Sequence, residues 1–255
     1  MIAVPAAIVA LVFLSFGGTA WALFMLVFAW LCLYELYRLL ERWRPVPAVG
    51  FAAAAALVLA AQLGTERDVL EVAAAALPVA FLAVAARGAE QGNGAVSVAG
   101  TLLGVWWPAL AFAFAVLLRR MPHGGGVLID ILVGTFLGDT AAYLGGRLFG
   151  RRPMAPSISP KKTFEGLFCG ALIAILAVFV AGLNQTWLTH GEALELGVAV
   201  AVLGPIGDLF ESLVKRDAGA KDAGGVFGAH GGALDRLDAV LFTVVAGYYI
   251  WAAVH

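Results

Sequence analysis

Charged side chains are sparse in this chain: Asp, Glu, Lys and Arg together make up only 13% of its 255 residues, about half the share found in an ordinary soluble protein. Hydrophobic residues reach 62%, so a water-facing surface cannot be assembled and a soluble globular fold is excluded. The surface must be lipid. Neither sign of charge dominates, since 16 Lys and Arg stand against 17 Asp and Glu for a net charge of -1. That balance excludes global attraction to nucleic acid and leaves electrostatic function to local clusters. Cysteine is nearly absent: Cys32 and Cys169 lie in apolar runs without a CxxC or His-rich context, as expected of two small buried hydrophobes. GxxxxGK[ST], HExxH and a Ser-His-Asp order are all missing, so P-loop hydrolysis, zincin chemistry and serine hydrolysis lose their usual sequence support. A charged start and a small-residue cleavage site are lacking as well, and the run from Ile2 to Phe16 reads as a first span rather than a signal peptide.

What the chain does contain is apolar runs long enough to cross a bilayer, which takes about 20 residues as a helix. Nine are expected, near 2–16, 19–40, 46–63, 69–86, 96–118, 126–144, 164–183, 192–214 and 237–254. The predicted fold is an all-α polytopic membrane bundle, a single integral membrane domain over 1–255. Placing the N-terminus in the cytoplasm puts 13 of the 16 Lys and Arg inside and leaves only Arg67, Arg119 and Arg120 outside, the bias expected of cytoplasmic loops. The C-terminus is then outside. In the sixth span Gly134, Gly138, Ala142 and Gly146 recur every four residues, a stripe that allows close helix contact. Asp139 beside the stripe reads equally as a helix-helix hydrogen bond or a catalytic group. Asp130 receives no role.

Two cytoplasmic segments are longer and more polar than the rest: "GRLFGRRPMAPSISPKKTFEG", Gly146 to Gly166, and "SLVKRDAGAKDAGGVFGAHGGALDRLD", Ser212 to Asp238. Loops of that length in a compact bundle are usually functional. The eighth span reaches Asp208 about 24 Å below Glu192 at 1.5 Å per residue, near the inner edge of the hydrocarbon. A carboxylate there needs a cation or a water-filled cavity. Gly204, Pro205 and Gly207 predict a kinked or partly unwound turn just before it. Asp208, Glu211, Ser212 and Lys215 then share one helical face, and Asp235 and Asp238 share another at the start of the last span. Asp208, Asp235 and Asp238 converging at one depth suit a hard cation, Mg2+. An interfacial ion-pair network with Lys215, Arg216 and Arg236 explains the same spacing.

Lys161, Lys162, Lys215, Arg216 and Lys221 share these two segments with a run of glycines that includes Gly231 and Gly232. Bare backbone N–H groups and nearby cations make phosphate chemistry the expectation, with topology signals and loop flexibility the plainer account. Lys161 and Lys162 follow Pro160 and are expected in a loop able to close over a ligand. His230 reads as a base, a ligand or a hydrogen-bonding residue.

The second segment closely resembles the C-terminal signature of the CDP-diacylglycerol synthases (phosphatidate cytidylyltransferases): SxxKR, then KD, then HGG, then DRxD. Ser212, Lys215, Arg216, Lys221, Asp222, His230, Gly231, Gly232, Asp235, Arg236 and Asp238 occupy its positions. "DTAAYLGGRLFGRR" with "SPKKTFEG", and "GDLFES", resemble the family's other motifs, so that the catalytic region covers about 139–238. Ala233 departs from the larger residue usual there, which should alter packing rather than chemistry. The resemblance implies CTP plus phosphatidic acid giving CDP-diacylglycerol and pyrophosphate with Mg2+, in an all-helical membrane protein that is commonly a homodimer; the identity of any second cation stays open. It implies Asp208, Asp235 and Asp238 as the metal centre, joined by Lys215 in catalysis. Ser159, Lys161, Lys162, Ser212, Arg216, Lys221, Asp222, His230, Gly231 and Gly232 are implied on the substrate side. A CTP-dependent lipid kinase is the rival among enzymes. A cation-coupled transporter is the rival from another class, although no internal repeat is evident and the charges gather at one surface.

Overall fold

The computed structural model describes residues 3–88, 93–225 and 231–255. Among them nine helices follow one another, each overlapping an expected span: α1 (Ala3–Phe16), α2 (Gly18–Leu39), α3 (Pro47–Leu63), α4 (Glu66–Ala86), α5 (Gly94–Arg120), α6 (Gly124–Phe149), α7 (Phe164–Gly182), α8 (His190–Asp217) and α9 (Leu234–Val254). Seven are long and apolar enough to cross a membrane, and α3 is a shorter apolar helix. The protein is thus an all-α, multi-pass membrane protein. The chain forms two compact units, 1–120 with 222–236, and 121–221 with 237–255.

In the first unit α5 is the hub. Of its apolar window 83% is buried, and it packs against α2, α3 and α4. Pro108 removes one backbone donor from its ladder, and the hydrogen bonding shifts to a π-helical turn over Val105–Ala109, the usual way a long helix absorbs an internal proline. Two glycines let α2 and its neighbours close on one another: a side chain at Gly50 or Gly104 would collide with Tyr37, whose hydroxyl donates to the Thr101 carbonyl at 2.8 Å. The outermost cations have structural partners. Arg119 Nε donates to the Leu14 carbonyl at 2.9 Å, and Arg120 Nη1 donates to the carbonyls of Gly64, at 2.7 Å, and Ala61. Guanidinium groups there satisfy carbonyls that the ends of α1 and α3 leave without an intrahelical donor.

In the second unit the small-residue stripe does what its spacing predicts. A Cβ at Gly138 would lie 3.0 Å from that of Ala174; one at Gly170 would lie 2.8 Å from that of Ala142; one at Gly166 would lie 2.6 Å from the Ala142 carbonyl. Bare backbone on both sides brings α6 and α7 into direct contact, and van der Waals packing replaces a hydrophobic driving force that lipid cannot supply. Between them the chain makes a hairpin, β1 (Pro153–Ala155) antiparallel to β2 (Ser159–Thr163). Helix α8 runs without interruption through Pro205, so of the kinked or partly unwound turn that the sequence suggests, the unwinding does not occur. Gly207 serves approach: a Cβ there would sit 2.6 Å from the Asp238 carbonyl and 3.1 Å from Ala239 Cα, so α8 and α9 meet at that level.

Candidate active site

The hairpin is anchored at both ends. Thr163 caps α7 by accepting from the Gly166 N–H at 3.1 Å, a standard N-terminal device. Glu165 accepts from the backbone N–H groups of Arg151 and Arg152 at 3.0 and 3.2 Å. Arg216, at the end of α8, donates from Nε to the Ile158 carbonyl at 3.1 Å and from Nη1 to the Ala220 carbonyl at 3.3 Å, fastening the hairpin tip to the helix. On β2 successive side chains leave opposite faces. Lys161 is therefore exposed, whereas Lys162 is half-buried and its Nζ lies 2.7 Å from Asp208 Oδ1. Ser159 is half-buried at the start of the strand.

One face of α8 carries Asp208, Glu211, Ser212 and Lys215, as its spacing requires. Because Gly207 admits the backbone of α9, carboxylate oxygens of Asp208, Glu211 and Asp238 all fall within 4.8 Å of one another. Glu211 is 1% exposed and Asp238 9%. Lys215 makes an ion pair with Glu211, and Asp238 Oδ1 accepts from the Ala239 N–H at 2.8 Å. Asp139 on α6 is a further carboxyl group in electrostatic reach of Asp208, Asp238 and Lys162. Buried like charges this close are costly unless a cation bridges them. Two lysine pairs set against three carboxylates fit a hard divalent cation, whose ligands are carboxylate oxygens.

Asp208 and Asp238 are thus brought together as the sequence suggests, and Glu211 completes the cluster. Its signal was available in the i, i+3 spacing from Asp208. In the first unit Asp235 accepts from the Ala223 N–H at 3.0 Å and the Gly232 N–H at 2.9 Å. Its carboxylate organises the signature segment. Gly231 has φ +84°, a left-handed conformation that favours glycine. Lys221 and Asp222 are exposed, Ser212 and Gly232 are buried, and Ala233 is fully buried. His230 lies outside the described residues. Sequence reasoning also missed Glu35, a lone carboxylate in the apolar run of α2: it is 1% exposed and accepts from the Leu234 N–H at 2.9 Å.

Residues 1–254 match the model of the family described as "Cytidylyltransferase family". A protein named phosphatidate cytidylyltransferase from Mycobacterium bovis is 37% identical over 166 residues, covering 63% of this chain and 53% of that one. Its namesake from Aquifex aeolicus is 35% identical over 151 residues, covering 58% and 55%. Phosphatidate cytidylyltransferase 5, chloroplastic, from Arabidopsis thaliana is 39% identical over 158 residues, covering 59% and 37%. The matched part spans about half the length of the mycobacterial relatives.

Proposed function

Because the chain belongs to the cytidylyltransferase family, we propose that it transfers a cytidylyl group from CTP to phosphatidic acid, giving CDP-diacylglycerol and pyrophosphate. The observation that carries the reading is the cluster of Asp208, Glu211 and Asp238 with Lys162 and Lys215 paired to it. It fits a chemistry that joins two anions.

A phosphate monoester is already a competent nucleophile, so no strong base is needed. One phosphatidate oxygen forms a bond to the α-phosphorus of CTP while the bond from that phosphorus to the bridging oxygen breaks, and pyrophosphate leaves with the electron pair. Asp208, Glu211 and Asp238 would hold Mg2+, and Asp235 enters by motif position, one turn before Asp238. A bound Mg2+ neutralises phosphate charge. Lys162 and Lys215, held by Asp208 and Glu211, present fixed cations to charge growing on the leaving group. Arg216 holds the hairpin, and Lys161, Lys221 and Ser159 lie on the polar segments for substrate phosphates. Ser212, Asp222, His230, Gly231 and Gly232 join the substrate side by motif position. A second cation at the centre belongs to the same proposal. Catalysis is then mainly in-line positioning.

The charge bias of the loops supports a cell-membrane protein with its N-terminus in the cytoplasm, its C-terminus outside and the reaction at the cytoplasmic boundary. We also propose a homodimer, as is common in the family. The test is purified protein in detergent with labelled CTP, phosphatidate and Mg2+. Labelled CDP-lipid with pyrophosphate is expected; phospholipid with CDP would instead identify a lipid kinase. Asp208→Asn, Glu211→Gln and Asp238→Asn should each abolish turnover while inserting normally. Near wild-type rates in any two of them at saturating Mg2+ would remove the cluster from the mechanism.

A further inference from the structure

Gly224 and Gly232 lie within the signature segment, and neither has the left-handed backbone that would by itself favour glycine; among its described residues Gly219 and Gly231 do. Their missing side chains have another cause. A Cβ at Gly224 would lie 2.5 Å from Glu35 Oε1 and 2.6 Å from its Cδ, and one at Gly232 would overlap Oε2 and lie 2.6 Å from Cδ. The same Oε2 accepts the Leu234 N–H at the first residue of α9. Ala223, Ala233 and Leu234 are buried around it. The space the two glycines keep open is filled by a side-chain carboxyl group of the protein itself.

We propose that Glu35 is a positioning residue: its carboxyl group, presented from α2, is the template against which Gly224, Gly232 and the start of α9 are set, and it fixes backbone that Asp235 in turn grips through Ala223 and Gly232. The two carboxylates work on the same stretch of backbone from opposite ends. Glu35 holds Leu234, and Asp235 holds the residues before it. On this account the missing side chains at Gly224 and Gly232 meet a requirement internal to the fold. The proposal rests on the cytidylyl-transfer reading only in giving the segment its catalytic purpose.

Two measurements on the full chain in detergent test it. Hydrogen exchange of the peptide covering 231–236, read without substrate, should speed up at least tenfold in Glu35→Ala. It should stay near wild type in Glu35→Gln, which keeps an acceptor oxygen and the side-chain shape. Kinetics supply the second arm. Gly232→Ala should lower kcat at least tenfold with the KM for CTP little changed, and Glu35→Asp in the same chain, whose carboxylate retreats by one methylene, should recover several-fold of that loss. Unchanged exchange in Glu35→Ala, a Gly232→Ala defect that Glu35→Asp does not relieve, or a raised KM for CTP as the main defect of Gly232→Ala would each overturn the proposal. Should Glu35→Ala fail to fold, the Gly232→Ala and Glu35→Asp pair decides alone. A wild type that forms no CDP-lipid would end the reaction reading, and exchange would still decide the role of Glu35.

Discussion

Lys161 and Lys162 leave opposite faces of β2, and the consequence is chemical. The sequence reading treats them as one mobile clamp; the hairpin divides them. Lys162 is paired to Asp208 at 2.7 Å, and Lys215 is paired to Glu211, so both are fixed cations at the carboxylate cluster. Lys161 is exposed and free to meet ligand in ground and transition states alike. Lys162→Ala and Lys215→Ala should therefore lower kcat about a hundred- to thousandfold, the usual cost of losing one preorganised contact to developing charge. Lys161→Ala should mainly raise the KM of one substrate by a few-fold. Steady-state kinetics with each substrate varied in turn checks the division. A kcat loss of equal size in both members of the 161–162 pair would refute it.

At the level of elements, the site depends on how near α8 comes to α9. Gly207 sets that distance: an added methyl would meet the Asp238 carbonyl at 2.6 Å and Ala239 Cα at 3.1 Å, both backbone atoms that cannot turn aside. Gly204, one turn earlier, has room, its nearest neighbour being Thr243 Cγ2 at 3.8 Å. Gly207→Ala should cost about 1–3 kcal/mol as overpacking and raise the Mg2+ concentration needed for half-maximal rate, since it separates Asp208 and Glu211 from Asp238. Gly204→Ala should leave both properties close to wild type. Thermal unfolding in detergent and a Mg2+ titration of the rate, run on both variants, measure the contrast. Equal behaviour would show that the helix contact does not govern the cluster.

For the whole molecule, the open quantity is orientation. Of 16 Lys and Arg only Arg67, Arg119 and Arg120 fall on the outer side of the proposed topology, and each has a local partner. Arg67 pairs with Glu71 at 2.8 Å, while Arg119 and Arg120 cap the ends of α1 and α3. The exceptions to the charge bias thus have structural reasons, and the remaining 13 cations express it undiluted. Cysteines introduced at Ser157 and Gly225, both exposed, in a background lacking Cys32 and Cys169, should react with impermeant thiol reagents only from the cytoplasmic side. Labelling of intact cells from outside would reverse the topology and with it the location of the reaction.

The sequence by itself determined the membrane class, the nine helices of the described residues and a close-packing face on α6, because those follow from local quantities: the length of apolar runs, the scarcity of charge and a four-residue repeat of small side chains. It also singled out Asp208, Asp235 and Asp238 as candidates, since a carboxylate at the edge of an apolar run demands a partner whatever the fold. Tertiary structure decided the rest. That Glu211 joins Asp208 and Asp238 depends on how closely α8 meets α9, and that distance is set by a missing methyl at Gly207 rather than by any spacing along the chain. The strand that separates Lys161 from Lys162 is only five residues long and is held by caps and by Arg216. Glu35 is the extreme case: its hydrogen-bonded partner Leu234 lies 199 residues away. No periodicity reaches that far, so only the folded chain could show why Gly224 and Gly232 have no side chains.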